Sequence, residues 1–140
     1  MVPNGVNCIF CKIIKGELSA EKVYEDKETF AFLDIRPNNV GHTLVVPKEH
    51  YENIYSTPDN VLCAVIKTVK RIAVAVKKGT GADGINIVSN NERPAGQIIF
   101  HTHFHVVPRF SDDGFRGWPG KEVHEDTLKE EAEKIRKEIV

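Results

Sequence analysis

Three histidines occupy alternate positions in the segment His101-Thr102-His103-Phe104-His105. In a β-strand, side chains two residues apart point to the same face, so a strand here would place all three imidazoles together. Histidine titrates near neutral pH and offers little to a hydrophobic core. An exposed polar face on an edge strand is the non-functional alternative, and the apolar residues on the opposite face disfavour it. The pattern therefore indicates chemistry.

Two kinds of chemistry fit such a cluster. Three imidazoles on one strand face can bind a catalytic zinc ion and leave a fourth position open for water. Alternatively, one neutral imidazole can attack phosphorus and form a phosphoramidate, which water then splits. The second mechanism needs a hydrogen bond that fixes the tautomer of the nucleophile, and further donors that stabilise the phosphate oxygens. The spacing alone leaves both open.

A second candidate cluster is the C-x-x-C pair of Cys8 and Cys11. With Cys63 alone inside a helical pattern, three cysteines are poor material for a secreted disulfide framework, so the close pair indicates metal or redox chemistry. A thioredoxin-like redox role is disfavoured because no predicted strand precedes Cys8.

The composition is that of one globular domain of 140 residues, with 41% hydrophobic and 28% charged positions. Nineteen basic and twenty acidic residues give a net charge of -1, so no overall field would attract nucleic acid or an anionic membrane. Residues 1–7 show no leader pattern and no stretch is long enough to span a bilayer. We therefore expect a cytoplasmic protein with neither nucleic acid nor a membrane as a partner.

The elements that must position these clusters alternate between short strands and helices. A short helix over 8–15 ends at Gly16 and turns Ile9, Phe10 and Ile13 inward. The main helix begins at the N-cap Thr57 and ends at Gly79, with an apolar stripe suited to lie across a sheet. The members of the stripe are Leu62, Val65, Ile66, Val69, Ile72 and Val76. A charged surface helix starts at Asp126.

Five strands are predicted between these helices. The first two form a hairpin in which the second buries one face, and the third is apolar enough to be buried on both faces. Their ranges are 23–26, 29–34, 42–47, 84–88 and 98–107. The prediction is a single α+β domain with about five mostly antiparallel strands and two main helices. Its core spans about 8–110, and residues 111–140 form a C-terminal extension.

The segment from His101 to Val107 resembles the H-x-H-x-H-x-x signature of the histidine-triad superfamily. Five other segments are similar to landmarks of that family and follow in family order, so the resemblance covers nearly the whole chain. They are C-I-F-C-K-I-I-K-G-E (8–17), A-F-L-D-I-R-P (31–37), G-H-T-L-V-V-P-K-E-H (41–50), A-G-Q (95–97) and W-P-G (118–120). The resemblance is to the small branch of the family that includes a zinc-site subset. It implies a homodimer whose two sheets join.

The resemblance also implies roles for individual residues. His103 would be the nucleophile, His105 would contact the α-phosphate, and His42 with His101 would support them through hydrogen bonds. Asp34 would accept hydrogen bonds from the ribose hydroxyls. The residues that would line the rest of the nucleotide site are Phe10, Ile13, Phe32 and Ile35 around the base, and Asn90, Gly96, Gln97 and Ile98 near the phosphates.

Two of these positions leave the substrate open. Ile98 stands where phosphoramidase-type members usually carry a serine that helps the leaving group depart. Asn90 stands where members that cleave dinucleoside polyphosphates often have glutamine. Apolar walls around the base imply tolerance among purines.

The zinc-site subset implies a metal centre as well. Its ligands would be Cys8, Cys11, His50 and His101, a closed tetrahedral set that stabilises the fold and leaves no position for substrate. No organic cofactor is implied. His101 would then serve both the metal and the triad, which is a conflict within the prediction.

The function implied by the resemblance is hydrolysis at the α-phosphate of adenosine-type nucleotides through a nucleotidyl-histidine intermediate, with release of a nucleoside monophosphate. A zinc-dependent hydrolase that uses His101, His103 and His105 as ligands is one alternative. A non-catalytic, zinc-stabilised nucleotide-binding module is another. Chain length and His105 disfavour the uridylyltransferase branch.

Overall fold

The computed structural model describes residues 7–140, and residues 1–6, where no leader was predicted, lie outside that range. Eight main elements follow one another along the chain. They are helix α1 (Ile9–Ile14), strands β1 (Lys22–Glu25), β2 (Thr29–Leu33) and β3 (Thr43–Pro47), helix α2 (Asp59–Thr80), strands β4 (Gly84–Val88) and β5 (Phe104–Arg109), and helix α3 (Glu125–Glu138). Two short 3₁₀ helices lie at Ile54–Ser56 and Arg93–Ala95.

The five strands form one antiparallel sheet in the order β1-β2-β3-β5-β4. This confirms the predicted α+β class and strand number. All five strands lie inside the segment 8–110, whose exact limits stay a prediction. Helix α3 lies on the surface as expected, since none of its residues is buried. No helix within residues 7–140 combines the length and apolarity needed to cross a bilayer.

The core consists of two apolar layers, one on each face of the sheet. On one face, Ala31 and Val45 pack against the stripe of α2. On the other, Phe30, Phe32 and Leu44 pack against Phe10 of α1. The alternation in β2 predicts one buried face, and the structure buries both, because helices cover both faces of the central strands.

Three details of the helices also differ from the prediction. Helix α2 runs through Gly79 and ends at Gly81, whose φ of 73° is the left-handed conformation that closes a helix. Thr57 does not cap α2, because its hydroxyl bonds the Asn53 carbonyl at 2.8 Å. Ile66 of α2 and Ile9 of α1 are exposed rather than inward, since each lies beside the buried stripe of its helix.

The strand predicted over 98–107 starts only at Phe104. Phe104 pairs with Val45 of β3, and the pairing stops before it reaches Pro47. Proline has no N–H to continue the ladder. The carbonyl of Pro47 is instead bonded by the His101 ring at 2.8 Å. Two of the three alternate histidines thus precede the strand, where side-chain hydrogen bonds hold them.

Candidate active site and metal centre

His103 lies buried at the entry to β5, with only 6% of its surface exposed. Its Nδ1 is 2.6 Å from the main-chain carbonyl oxygen of His101. A carbonyl oxygen can only accept, so Nδ1 carries the proton and Nε2 keeps its lone pair. Burial lowers the pKa of His103 below 6.5, so the ring is neutral at pH 7. The arrangement leaves a nucleophilic nitrogen with one defined orientation.

A hydrogen-bonded pair of histidines stands beside it. The backbone N–H of Asn38 donates to His42 Nδ1 at 3.0 Å, which places the His42 proton on Nε2. That nitrogen donates to His105 Nδ1 at 2.9 Å, so the proton of His105 is on Nε2. The rings of His103 and His105 are 5.0 Å apart. The ring that carries this donor therefore lies next to the ring of His103.

The loop before β3 fixes His42. Gly41 has a φ of 103°, and a Cβ there would lie 2.6 Å from the Thr80 side chain, so the tight turn requires glycine. Asp34, at the end of β2, donates its N–H to the His42 carbonyl at 2.9 Å. Its Oδ1 accepts from the Arg36 N–H, and its Oδ2 lies 3.7 Å from His42 Nε2. The second oxygen of Asp34 thus points toward the histidine pair.

The tautomers disfavour a metal ion at this cluster. Asp34, His42 and His105 have ligand atoms within 4.8 Å of one another. His42 Nε2 carries a proton, however, because Nδ1 already accepts from a backbone amide. A metal at Nε2 would demand an imidazolate. The alternative with all three alternate histidines as zinc ligands fails for a different reason, since the His101 ring faces a separate cluster.

That second cluster joins Cys8, Cys11, His50 and His101. The four ligand atoms lie within 4.8 Å of one another. His101 Nδ1 is 3.4 Å from Cys8 Sγ, 3.5 Å from Cys11 Sγ and 3.2 Å from His50 Nδ1. Tetrahedral zinc would separate two nitrogens by roughly 3.3 Å and a sulfur from a nitrogen by roughly 3.6 Å. The donors already stand within about 0.2 Å of these spacings.

The protonation of the cluster also suits zinc. His101 Nε2 donates to the Pro47 carbonyl, so Nδ1 has a free lone pair. Burial lowers the pKa of His101 to about 4. Burial and the neighbouring Cys8 raise the pKa of Cys11 to about 12. An ion that binds thiolate strongly would displace that proton, and two sulfurs with two imidazoles are a ligand set that zinc prefers.

The geometry resolves the conflict over His101. Its ring faces the cysteines and His50, while its main-chain carbonyl orients His103. One residue therefore links the two centres through different atoms.

The predicted base-binding residues are only partly brought together. The Phe10 and Phe32 rings are 5.4 Å apart, and Phe10 also meets the His103 ring edge-on at 5.1 Å. Ile13 packs against the same apolar cluster. Ile35 is 89% exposed on the loop after β2. A base could therefore lie between a buried aromatic wall and a solvent-exposed aliphatic side chain.

The residues predicted to lie near the phosphates do not form one group in the structure. Gly96 and Asn90 are adjacent, since a Cβ on Gly96 would lie 3.4 Å from Asn90 Nδ2. Gln97 is 2% exposed and its side chain is fully engaged, accepting from the Glu92 N–H and donating to the Glu52 and Ile99 carbonyls. Its amide therefore holds the loop. Ile98 is exposed and lines a cavity of about 270 Å³ beside Cys8.

Sequence reasoning missed three supports of the histidines. Asn38 acts through its backbone N–H and Pro47 through its carbonyl, so neither has a side-chain signal. The Ser89 hydroxyl donates to the His103 carbonyl at 2.9 Å. A lone serine after a strand gives no cue to a contact fourteen residues away.

Comparison with known proteins places this geometry in context. Residues 15–112 match the family model described as HIT domain. An uncharacterised HIT-like protein of Methanocaldococcus jannaschii is 58% identical over 107 residues, which are 76% of this chain and 82% of that protein. An adenosine 5'-monophosphoramidase of Candida albicans is 36% identical over 139 residues, covering 95% of this chain and 91% of that enzyme.

Solved structures of similar proteins share this fold. A crystal structure from Streptococcus mutans UA159 superposes with a TM-score of 0.93 at 43% identity, covering all of this chain and 90% of that one. A zinc-bound histidine triad family protein from Mycobacterium smegmatis gives 0.74 at 38% identity, covering 93% and 96%.

Proposed function

The chain belongs to the HIT domain family, and on that premise we propose that it hydrolyses adenosine-type nucleotides at the α-phosphate through a covalent intermediate on His103. The observation that carries the proposal is the defined set of tautomers. The ring of His103, with its lone pair on Nε2, lies next to the ring of His105, with its proton on Nε2, and the other nitrogen of each ring is already engaged. That is the pairing of nucleophile and donor that attack on a phosphate ester requires.

In the first step, Nε2 of His103 forms a bond to the α-phosphorus while the bond from phosphorus to the leaving group breaks. The ring keeps its Nδ1 proton and becomes cationic, and the His101 carbonyl stabilises that charge. His105 donates a hydrogen bond to a phosphate oxygen. It does not act as the acid, because losing its proton would leave an imidazolate. The leaving group takes its proton from water.

In the second step, water attacks the phosphorus and the P–N bond to His103 breaks. Because the phosphorylated ring is cationic, it departs readily as neutral imidazole, so the intermediate is short-lived. The products are a nucleoside monophosphate and a neutral His103, and the proton from water goes to solvent. The relative named as an adenosine 5'-monophosphoramidase supports this reaction class.

Asp34 and the aromatic wall would orient the nucleotide. The free Oδ2 of Asp34 can accept hydrogen bonds from vicinal ribose hydroxyls. Phe10 and Phe32 would cover one side of the base, with Ile13 behind them and Ile35 opposite. Few polar groups line this wall, so we propose tolerance among purines. Gly96 and Asn90 would approach the phosphates from the neighbouring loop.

We also propose that the cluster of Cys8, Cys11, His50 and His101 binds zinc. The donor spacings support this, as does the zinc-bound structural relative. All four positions would be filled, so the metal would stabilise the contact between α1 and the sheet and take no part in bond cleavage.

The decisive experiment compares His103→Ala with a control, His124→Ala, in which the exposed N-cap of α3 is changed. Adenosine phosphoramidate and a diadenosine polyphosphate serve as substrates. We expect His103→Ala to lose turnover by roughly a thousandfold or more while it still binds AMP, and His124→Ala to match the wild type. Acid quench should trap a nucleotide on wild-type His103.

Near-normal turnover by His103→Ala would reject the mechanism. Wild-type protein that binds AMP but turns over neither substrate would instead indicate the binding module.

A further inference from the structure

Helix α3 presents an apolar stripe that nothing in its own chain covers within the described range. Leu128 is 58% exposed and Ile135 62%. Ala132 lies between them, and Ile139 follows the last residue of the helix at 71% exposure. A 14-residue helix is marginally stable alone in water, and helices of this length normally bury an apolar face. The stripe therefore indicates a partner.

The spacing of the stripe identifies the kind of partner. Leu128, Ala132, Ile135 and Ile139 follow one another at intervals of four, three and four residues. Within the helix, which ends at Glu138, the first three of these residues form the d-a-d pattern of a heptad repeat, which lets two helices pack along a common seam.

The charges beside the seam are sorted by sign. Lys129 and Arg136 occupy the e positions on one flank, and Glu131 and Glu138 occupy the g positions on the other. In a parallel pair, a g residue faces the e residue five positions later on the partner helix. Glu131 would then face Arg136 of a second copy. In an antiparallel pair, e faces e and g faces g, so like charges would meet.

We propose that α3 is a dimerisation element that pairs in parallel with α3 of a second copy of this chain. Two heptads are too short to hold a dimer alone, so the pair would add to a wider contact between the two copies. The helix lies outside the segment 15–112 that matches the family model. This contact is thus distinct from a joining of sheets, and it depends on neither the nucleotide reaction nor the metal.

Disulfide trapping in the full-length protein tests the proposal. All variants are made in a parent that carries Cys63→Ser, because Cys63 is exposed and could form disulfides itself. Any dimer that this parent forms on oxidation measures the reaction of Cys8 and Cys11. Ala132→Cys and Leu128→Cys each place one thiol on the seam. The matched control is Glu130→Cys, on the opposite face of the helix. After mild oxidation, non-reducing gels measure the dimer.

In a parallel pair each seam residue meets its own counterpart, so both Ala132→Cys and Leu128→Cys should form covalent dimers and Glu130→Cys should not. In an antiparallel pair centred on Ala132, the two Leu128 positions would lie roughly 12 Å apart along the axis, so only Ala132→Cys would react. That outcome would overturn the orientation. No dimer from either seam variant would overturn the proposal altogether.

Charge exchange supplies an independent readout by sedimentation equilibrium. Glu131→Lys should weaken dimerisation by roughly tenfold, because two facing pairs change from attraction to repulsion. The double variant Glu131→Lys/Arg136→Glu should recover it. A monomeric wild type, or a double variant no better than the single one, would contradict the pairing.

Discussion

Replacing Phe10 by alanine should disturb two properties at once, because this ring packs against both His101 of the proposed metal site and His103, the proposed nucleophile. It is 6% exposed and follows Ile9 on α1. A cysteine of the proposed zinc site lies on either side of these two residues. The Phe10 ring meets Phe32 at 5.4 Å and His103 at 5.1 Å. Both contacts would be lost in Phe10→Ala.

The expected sizes differ for stability and catalysis. Leaving a cavity where a buried phenylalanine ring was lowers the free energy of unfolding by about 3–5 kcal/mol. In a chain of this length, that lowers Tm by roughly 10–20 °C. Loss of an aromatic wall for the base costs about 1–3 kcal/mol, or roughly a 5- to 150-fold rise in KM. His103 keeps its bond to the His101 carbonyl, so kcat should fall less than about tenfold.

Thermal unfolding and steady-state kinetics on zinc-loaded protein measure these effects, and metal analysis of the same samples verifies loading. Ile9→Ala is the matched control, since Ile9 is on the same helix but 47% exposed. A KM for Phe10→Ala within twofold of the wild type would refute the assignment of the ring to the base site. A Tm no lower than that of Ile9→Ala would refute its role in the core.

The other predictions concern the metal and pH. Cys11→Ser should reduce bound zinc to below one equivalent and lower Tm by several degrees, whereas His103→Ala should keep its zinc; full metal content in Cys11→Ser would contradict the ligand set. Burial lowers the pKa values of His42 and His105 below 6.5, so each ring binds a proton only at a lower pH than an exposed histidine does. We expect kcat/KM to be constant from pH 8 to about 6.5 and to decline only below it; a decline that begins above pH 7 would count against the tautomers. Folding stability should fall over the same acidic range, because the unfolded chain binds these protons more readily.

Much of the fold could be predicted from the sequence because its signals are local. The hydrophobic pattern and the glycine and proline residues between the elements predicted β4 at the residues where it lies. They also predicted α2 to within a few residues of its ends. The errors arose where a residue distant in sequence determines the local structure. Pro47 stops the ladder that the run 98–107 would otherwise extend, and helices on both sides of the sheet bury both faces of β2.

For the candidate site, the sequence predicted which histidine and cysteine side chains lie together but not which of their atoms form the contacts. Nothing in the pattern reveals that Asn38 contributes a backbone N–H to His42. The same holds for Gln97, whose engaged and buried amide looks in sequence like a ligand for phosphate. Such roles depend on where the main chain and its neighbours lie in the folded protein, which the local sequence pattern does not reveal.

The acceptor that orients the nucleophile is a peptide carbonyl, a group that all twenty amino acids supply. Point mutation at position 101 can therefore abolish the proposed metal ligand without removing the partner of His103. Loss of zinc and loss of the nucleophile's orientation are thus separate mutational events, although a single residue hosts both.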